Sequence, residues 1–263
     1  MSDTSAESPR FAGQRIVVKV GSSSVSGENA AQIPVLVDSL ARLSKAGSEV
    51  ILVSSGAIAT GVPFMKLDAR PDDLATQQAA AAVGQNILVG RYQRALISHD
   101  IIAGQVLLTA NDMENPTHRD NAKRAIVRLL QLGILPIINE NDTVATHEIR
   151  FGDNDRLAAM VARLVSADQL VLLSDVDALY TAPPTMPGAE RIARVPFGDE
   201  LAGVQIGATQ SGWGTGGAAT KVQAARLAAE AGTAVLLTET KLLTEVLDGA
   251  PHGTVFDPAP VAP

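Results

Sequence analysis

Short runs of apolar residues recur along the chain, and each run is followed by small or polar residues and then by a segment with helical periodicity. The first four runs occupy residues 16–20, 49–53, 102–108 and 134–138. Strands that alternate with helices form parallel βαβ units, and strands that are apolar on both faces belong to a sheet covered on both sides. The sequence therefore predicts an α/β fold with a mostly parallel central sheet.

Helices are predicted between these strands and through the second half of the chain. They cover residues 30–45, 72–99, 117–132, 156–165, 218–231 and 241–247. Gly84 is a candidate break in the second of them. Further strands are predicted at residues 169–174, 234–237 and near 254–256, with a loop rich in Pro and Gly at residues 180–188. No repeat or composition shift marks a boundary, so residues 15–263 are predicted to form one domain behind a disordered tail of residues 1–14.

Small and polar residues follow several of the predicted strands. In open α/β sheets, ligands bind beyond the carboxyl ends of the strands. Applied here, that rule selects residues 21–24, 54–56 and 139–142 and the loop after Thr109. The sequence therefore predicts one ligand-binding rim along this edge of the sheet.

Composition excludes several classes of function. The 263 residues are 46% hydrophobic, carry a formal net charge of −7 and include no cysteine. Disulfides and thiolate metal sites are therefore excluded, and the negative charge argues against nucleic acid as a partner. No apolar run is long enough to span a membrane and the first residues lack a targeting pattern, so no membrane partner is expected and a cytoplasmic location is predicted.

Two clusters of amides and carboxylates lie close together in the sequence. They read Asn139-Glu140-Asn141-Asp142 and Gly152-Asp153-Asn154-Asp155, and the residues between them alternate enough to form a strand or hairpin. Carboxylates can bind the ammonium group of a small zwitterion, while Asn side chains and loop N–H groups can bind its carboxylates. The alternative is that the second cluster only caps the helix that follows it.

Two lysines are candidates for phosphate binding. Lys19 lies within an apolar strand just before Gly21, and Lys221 lies in a helix that opens with the run Thr215-Gly216-Gly217-Ala218-Ala219-Thr220. Glycines let backbone N–H groups approach an anion, and a helix N-terminus favours negative charge, although the spacing is not that of a Walker A loop. The alternatives are an edge strand with Lys19 in water, and a flexible loop with Lys221 on the surface.

This inventory of side chains suits phosphoryl transfer. Neither a Ser-His-Asp nor a Cys-His signature is present, and the four histidines have no metal-ligand spacing. Phosphoryl transfer depends mainly on positioning and charge neutralisation, which lysines, backbone N–H groups and Mg²⁺ can supply. A carboxylate acceptor is already ionised at pH 7 and needs no general base.

A set of motifs in this order resembles the glutamate 5-kinase family of the amino acid kinase superfamily. The motifs are VVKVGSSS, LVSSGAIATG, AAAAVGQ, GQVLLT, ILPIINENDTVAT, IRFGDNDRLAA, LLSDVDALYT and GTGGAATKVQAA. The resemblance runs from about residue 15 to residue 256. It implies a three-layer αβα sandwich with ATP over the carboxyl edge of the sheet, and transfer of the ATP γ-phosphoryl group to the γ-carboxylate of L-glutamate, the first step toward proline.

The resemblance also assigns roles residue by residue. It implies catalytic roles for Lys19, Lys221 and Asp155. It implies glutamate contacts at Ser55, Asn139, Asp142, Asp153 and Asn154. It implies ATP contacts at Lys19, Gly21, Ser174, Asp175, Thr215, Gly216, Gly217, Ala218, Ala219, Thr220 and Lys221. Mg²⁺ is expected to arrive with ATP, and no protein side chain is assigned to it.

The chain departs from the family pattern at a few positions. Ser54 and Ser174 stand where threonine is expected, Ala178 replaces a usual glycine, and Arg150 replaces a frequent lysine. The RNA-binding-like PUA module of many relatives is not expected here. Feedback inhibition by proline stays a hypothesis, and a homo-oligomer, either a dimer or a tetramer, is expected.

Two other functions remain open from the sequence. Within the same fold, the chain could phosphorylate N-acetylglutamate, aspartate or uridylate, although a free α-ammonium group explains the two acidic clusters better. In a different class, a regulator could bind ATP or an amino acid without turnover.

Overall fold

The computed structural model describes residues 8–145, 154–204 and 217–260, and an eight-stranded sheet forms its centre. The described residues form ten strands, eight of which belong to this sheet. They are β1 (Arg15–Val20), β2 (Glu49–Ser54), β3 (Ile102–Leu108), β4 (Ile134–Glu140), β5 (Gln169–Ser174), β6 (Leu179–Tyr180), β7 (Arg191–Ile192), β8 (Arg194–Val195), β9 (Ala234–Glu239) and β10 (Thr254–Phe256). The sheet order is β3-β4-β2-β1-β5-β9-β10-β8, and every neighbouring pair is parallel except β9 and β10. Strands β6 and β7 form a separate antiparallel pair. The predicted α/β fold with a mostly parallel sheet is confirmed.

Helices cover both faces of this sheet. They are α1 (Ser22–Val25), α2 (Ile33–Lys45), α3 (Ala57–Phe64), α4 (Leu74–Ile97), α5 (Ala110–Glu114), α6 (Pro116–Gln131), α7 (Asn154–Val165), α8 (Ala218–Glu230) and α9 (Leu243–Leu247), with 3₁₀ turns at Gly27–Gln32 and Thr240–Leu242. One apolar core lies between the sheet and α6, α7 and α8, and a second lies between the sheet and α2, α4 and α9. The chain therefore has the three layers that the resemblance implies.

Helix α3 was not predicted, and the helix after it is not broken at Gly84. The backbones of α3 and α4 touch: a Cβ on Gly84 would lie 1.8 Å from the carbonyl oxygen of Ala57, and one on Gly61 would lie 1.9 Å from that of Ala80. Gly84 is thus a packing residue inside a continuous 24-residue helix. Close backbone contact, which depends on residues far apart in sequence, decides both features.

The first described residues pack against the domain. The N–H of Arg10 donates to the carbonyl of Leu247, the hydroxyl of Ser48 donates to the carbonyl of Phe11, and the Phe11 ring packs against the second core. The predicted disordered tail therefore stays a prediction for residues 1–7, whereas the chain from residue 10 onward is held by contacts.

None of the helices in the described part of the chain is both long enough and apolar enough to cross a membrane.

Candidate active site

Lys19 reaches the carboxyl edge of the sheet from β1, which lies between β2 and β5. Side chains alternate across a strand, so Lys19 shares a face with Val17, which belongs to the core beneath α7 and α8. Lys19 is only 3% exposed. The alternative of an edge strand with this lysine in water is wrong, and a buried ammonium group requires a partner.

One carboxylate serves both lysines. Asp155 lies in the first turn of α7 and is completely buried; its Oδ1 is 2.5 Å from Nζ of Lys19, and its Oδ2 is 3.0 Å from Nζ of Lys221. We call Lys19, Asp155 and Lys221 the lysine cluster. Its three groups together carry one positive charge, and each ammonium group has further donors beyond the one that faces Asp155. The cluster can therefore attract and bind an anion.

The first turn of α8 adds to this cluster. Gly217 is the N-cap residue. Its N–H donates to the hydroxyl of Thr220 at 3.1 Å, and this hydroxyl donates to the Gly217 carbonyl at 2.9 Å. The same hydroxyl lies 3.4 Å from Oδ2 of Asp155. The helix N-terminus at Ala218 and Ala219 thus lies beside the lysine cluster, where its dipole favours negative charge. The alternative that Lys221 is a surface lysine is wrong, since the residue is 8% exposed.

A neutral row of amides lies next to the charged cluster. Nδ2 of Asn154 donates to Oδ1 of Asn139 and to the carbonyl oxygen of Ser54, both at 2.7 Å. Nδ2 of Asn139 donates to Oε1 of Gln85, also at 2.7 Å. We call Gln85, Asn139 and Asn154 the amide row. All three side chains are buried, and the row joins α4, β4 and α7.

Backbone groups fix the direction of every hydrogen bond in the amide row. The carbonyl of Ser54 can only accept, so Asn154 must present its nitrogen there, and the N–H of Glu140, 2.9 Å from Oδ1 of Asn139, can only donate. The donor positions of the Asn154 amide are then directed at Ser54 and Asn139. Within the described residues, nothing donates to Oδ1 of Asn154, which is left as an acceptor for a ligand.

Tyr92 supports the Ser54 end of the amide row. Its hydroxyl lies 2.9 Å from Oγ of Ser54, which in turn lies 3.1 Å from the carbonyl of Ser55. Burial raises the pKa of the Tyr92 hydroxyl above its ordinary value, so the group stays protonated and can donate to Ser54. The substitution of serine for the expected threonine at position 54 therefore keeps a hydroxyl that is in use.

Gly21, Ser174 and Asp175, which were predicted to contact ATP, lie at the ends of β1 and β5, and these two strands pair directly. Gly21 follows β1 at the start of α1. The hydroxyl of Thr240 lies 2.8 Å from that of Ser24 and 3.3 Å from the carbonyl of Ser174. Asp175 comes next, is exposed, and accepts from the Ser174 hydroxyl at 3.2 Å. Thr240 therefore connects α1 with the end of β5.

A cleft of about 260 Å³ lies at the Gln85 end of the amide row, between α4, β3 and the turn after β4. Residues from all three elements line it, among them Ala81, Gln85, Gln105, Glu140, Asn141 and Asp142. Asp142, predicted to contact glutamate, thus shares the cleft with one end of the amide row. Ser55 lies at the end of β2, where its N–H donates to the carbonyl of Val20 at 3.1 Å.

Some predictions concern residues outside the described ranges. These are the strand or hairpin predicted between the two acidic clusters and the roles of Asp153, Thr215, Gly216 and Arg150. For Asn154 and Asp155 the interpretation as helix caps alone is wrong, because both lie in the helix and form the contacts above. For residues 152 and 153 it lies outside the described residues.

Gln85 and Tyr92 were not predicted from the sequence to belong to the site. Both lie on α4 and are buried, Gln85 at 9% exposure and Tyr92 at 0%. A polar side chain within an Ala-rich helical stretch was a usable signal, since such a residue needs a partner when it is buried. The partners, Asn139 and Ser54, lie 54 and 38 residues away in the chain.

The described residues contain no group of three or more His, Asp or Glu side chains that could hold a metal ion. Both oxygens of Asp155 face lysines. The expectation that Mg²⁺ arrives on ATP stays a prediction.

Several known proteins are similar to this chain in sequence. A profile of the amino acid kinase family matches residues 14–238. Glutamate 5-kinase from Clavibacter sepedonicus is 69% identical over 245 residues, covering 93% of this chain and 95% of that protein. Glutamate 5-kinase from Leifsonia xyli subsp. xyli is 70% identical over 247 residues, covering 94% and 92%.

Solved structures share the fold at low identity. Carbamate kinase from Giardia lamblia bound to AMP-PNP has a TM-score of 0.66 and 16% identity, covering 94% of this chain and 99% of that one. Isopentenyl phosphate kinase from T. acidophilum, in a product complex, has a TM-score of 0.64 and 15% identity, with coverages of 92% and 99%. The family profile, the similar sequences and the shared fold lead to one conclusion: this chain belongs to the amino acid kinase family.

Proposed function

We propose that the protein transfers the γ-phosphoryl group of ATP to the γ-carboxylate of L-glutamate, giving L-glutamyl 5-phosphate and ADP, the first step of proline biosynthesis. The observation that carries this proposal is the lysine cluster beside the amide row. Relatives about 70% identical over nearly the whole chain are named glutamate 5-kinase, which supports the choice of substrate.

The lysine cluster suits the transfer step. An oxygen of the γ-carboxylate attacks the γ-phosphorus of ATP, and the bond from that phosphorus to the β,γ-bridging oxygen breaks as ADP leaves. No proton needs to move, because the acceptor is already ionised. Lys19 and Lys221 stabilise the negative charge on the transferring group and on ADP, and Asp155 holds both ammonium groups in place. Mg²⁺ carried by ATP would add charge neutralisation at the phosphates.

The amide row and the neighbouring cleft suit recognition of glutamate. Oδ1 of Asn154 is an acceptor directed by two fixed bonds, and the carboxylates of Asp142 and Glu140 line the cleft. These acceptors match the three donors of an α-ammonium group. An acetylated amine or a nucleotide base has no such cation, so the acidic lining favours free glutamate over N-acetylglutamate or uridylate.

The nucleotide would bind on the side of the lysine cluster that lies away from the amide row. Gly21, Ser174, Asp175 and the start of α8 surround the end of β1, and ATP bound there would place its γ-phosphate at the two lysines. Thr215, Gly216 and residues 217–221 complete the proposed ATP contacts, and Asp153 and Ser55 complete the proposed glutamate contacts.

Regulation and assembly belong to the same proposal. L-Proline would act as a feedback inhibitor, and the protein would act in the cytoplasm as a homo-oligomer. Titration of proline into the assay, and light scattering of the pure protein, measure these two features. Unchanged activity under proline, or a monomer at micromolar concentration, would refute them separately.

The experiment is an assay of glutamate-dependent ADP release from Mg-ATP with hydroxylamine present. An acyl phosphate reacts with hydroxylamine, so the proposal predicts ADP together with glutamyl hydroxamate. ADP release that prefers N-acetylglutamate would replace the substrate. Binding of ATP and glutamate without ADP release would instead favour the regulator.

A further inference from the structure

Gln85 carries a buried donor without a partner. Its Oε1 accepts from Asn139, but no described atom lies within hydrogen-bonding distance of its Nε2, which is shielded from solvent. Buried polar groups in folded proteins nearly always have partners, because an unpaired donor loses its bonds to water without replacement. Such an exception calls for a physical reason.

The unpaired group on Gln85 cannot be changed by exchanging the positions of its amide oxygen and nitrogen. The carbonyl of Ser54 and the N–H of Glu140 fix Asn154 and Asn139, so Asn139 presents its nitrogen to Gln85. Gln85 must answer with its oxygen, because two facing NH₂ groups would repel each other. The backbone therefore determines that the group left over on Gln85 is a donor.

The position of Gln85 indicates what this donor binds. The amide row begins at Asn154, the residue before Asp155, and Gln85 is its far end, away from the lysines. Gln85 also lines the cleft that contains Asp142 and Glu140. A glutamate molecule with its γ-carboxylate at the lysine cluster and its ammonium group at Asn154 and Asp142 would have its α-carboxylate at this end.

We propose that Nε2 of Gln85 donates a hydrogen bond to the α-carboxylate of the amino-acid substrate and so helps to select substrates that have this group. The inference rests on the proposed function and assigns a further substrate-binding residue to the same site. It also explains the unpaired donor, which gains an ionised acceptor when substrate binds.

Gln85→Glu is the informative variant. The carboxylate can still accept from Asn139, so a role that is only structural is retained, but the donor becomes a negative group facing the α-carboxylate. We expect the glutamate KM to rise about 10- to 100-fold, the size of one hydrogen bond to a charged group. The kcat should stay within about threefold and the ATP KM should not change.

Gln93→Glu is the matched control on the same helix. Gln93 has both amide atoms in use, accepting from the N–H of Ala103 and donating to the carbonyl of Ile101, and it does not line the cleft. Its glutamate KM should equal that of the unchanged protein.

A second measurement asks directly about the α-carboxylate. Titration calorimetry would compare L-glutamate with its α-amide, in the unchanged protein, in Gln85→Glu and in Gln85→Met. The unchanged protein should prefer glutamate, and both variants should lose about 10-fold or more of that preference. Gln85→Met keeps the test valid if the Glu variant fails to fold.

The proposal is overturned if Gln85→Glu has a glutamate KM within about twofold of the unchanged protein, or if the preference over the α-amide survives in the variants. These results differ from failure of the proposed function, in which the unchanged protein itself would neither bind glutamate nor release ADP with it.

Discussion

The lysine cluster and the amide row are both buried, both assembled from distant parts of the chain, and adjacent through Asn154 and Asp155. They differ in charge: the first consists of three ions, whereas the second consists of neutral amides whose directions the backbone fixes. Charged groups stabilise most strongly the atoms whose charge changes during reaction, whereas dipoles that contact unreactive parts of the substrate act equally on bound substrate and transition state. We therefore propose that the lysine cluster accelerates transfer and that the amide row holds the acceptor.

Lys221→Ala tests the charged side of this contrast most severely. Loss of one ammonium group from the transferring phosphoryl should lower kcat by about 10³-fold, with the glutamate KM changed little. The fold should persist, since Lys221 lies at the start of α8 and Asp155 keeps Lys19 as its partner. Steady-state kinetics measure both parameters.

Lys241→Ala is the control for that variant, because Lys241 is largely exposed and lies 3.6 Å from Glu239 on the surface. Equal losses of kcat in Lys221→Ala and Lys241→Ala would mean that the place of Lys221 in the lysine cluster does not matter for turnover.

Asp155→Asn separates positioning from charge. The variant leaves two ammonium groups facing one neutral amide, so the free energy of unfolding should fall by about 3 kcal/mol and kcat by about 10²-fold. Urea unfolding with and without ATP measures the first effect, and ATP should restore part of the stability because its phosphates supply the missing negative charge. A variant as stable as the unchanged protein would show that Asp155 does not hold the lysines together.

Asn154→Ala tests the neutral side. It removes the two bonds from Nδ2 to Ser54 and Asn139, together with the acceptor that we assign to the ammonium group. The glutamate KM should rise about 10- to 100-fold while kcat changes much less. Loss of kcat at unchanged KM would reverse the roles of the two regions.

Tyr92→Phe should have the smallest effect. It tests whether Tyr92 only supports the amide row or belongs to the reacting site. It removes the hydroxyl bonded to Ser54 without changing the shape of the core, so the free energy of unfolding should fall by about 1 kcal/mol. The kcat should be unaltered, because Tyr92 touches only the support of the row. Thermal unfolding and kinetics of the same preparation give both values, and a loss of kcat would place Tyr92 within the reacting site.

The sequence predicted seven of the described strands and singled out the two lysines of the cluster, but it missed the two-residue strands β6, β7 and β8. The runs at β1, β3 and β5 are mainly apolar, and their predicted bounds agree with the structure within a residue. Lys19 stood out because an ammonium group within an apolar strand needs a partner, and Lys221 stood out because glycines open the helix in which it lies. The catalytic role of Asp155 came from the family resemblance and stays a prediction.

The sequence was insufficient wherever close packing decides the outcome. Helix α3 contains Gly61 and Pro63, which oppose helix formation in isolation, and its contact with Gly84 of α4 stabilises it. Gln85 escaped notice for a related reason, since its role depends on the orientation of Asn139 on another element. Local secondary-structure propensity predicts neither the contact between α3 and Gly84 nor the orientation of Asn139.

The most direct test of the division between the two regions is calorimetric titration of L-glutamate into Lys221→Ala. If the amide row and its cleft hold the acceptor and the lysines act on the phosphoryl group, the Kd should lie within about threefold of that of the unchanged protein although turnover is nearly abolished. A Kd that weakens in step with kcat would contradict this account, because the lysine cluster would then be binding glutamate itself.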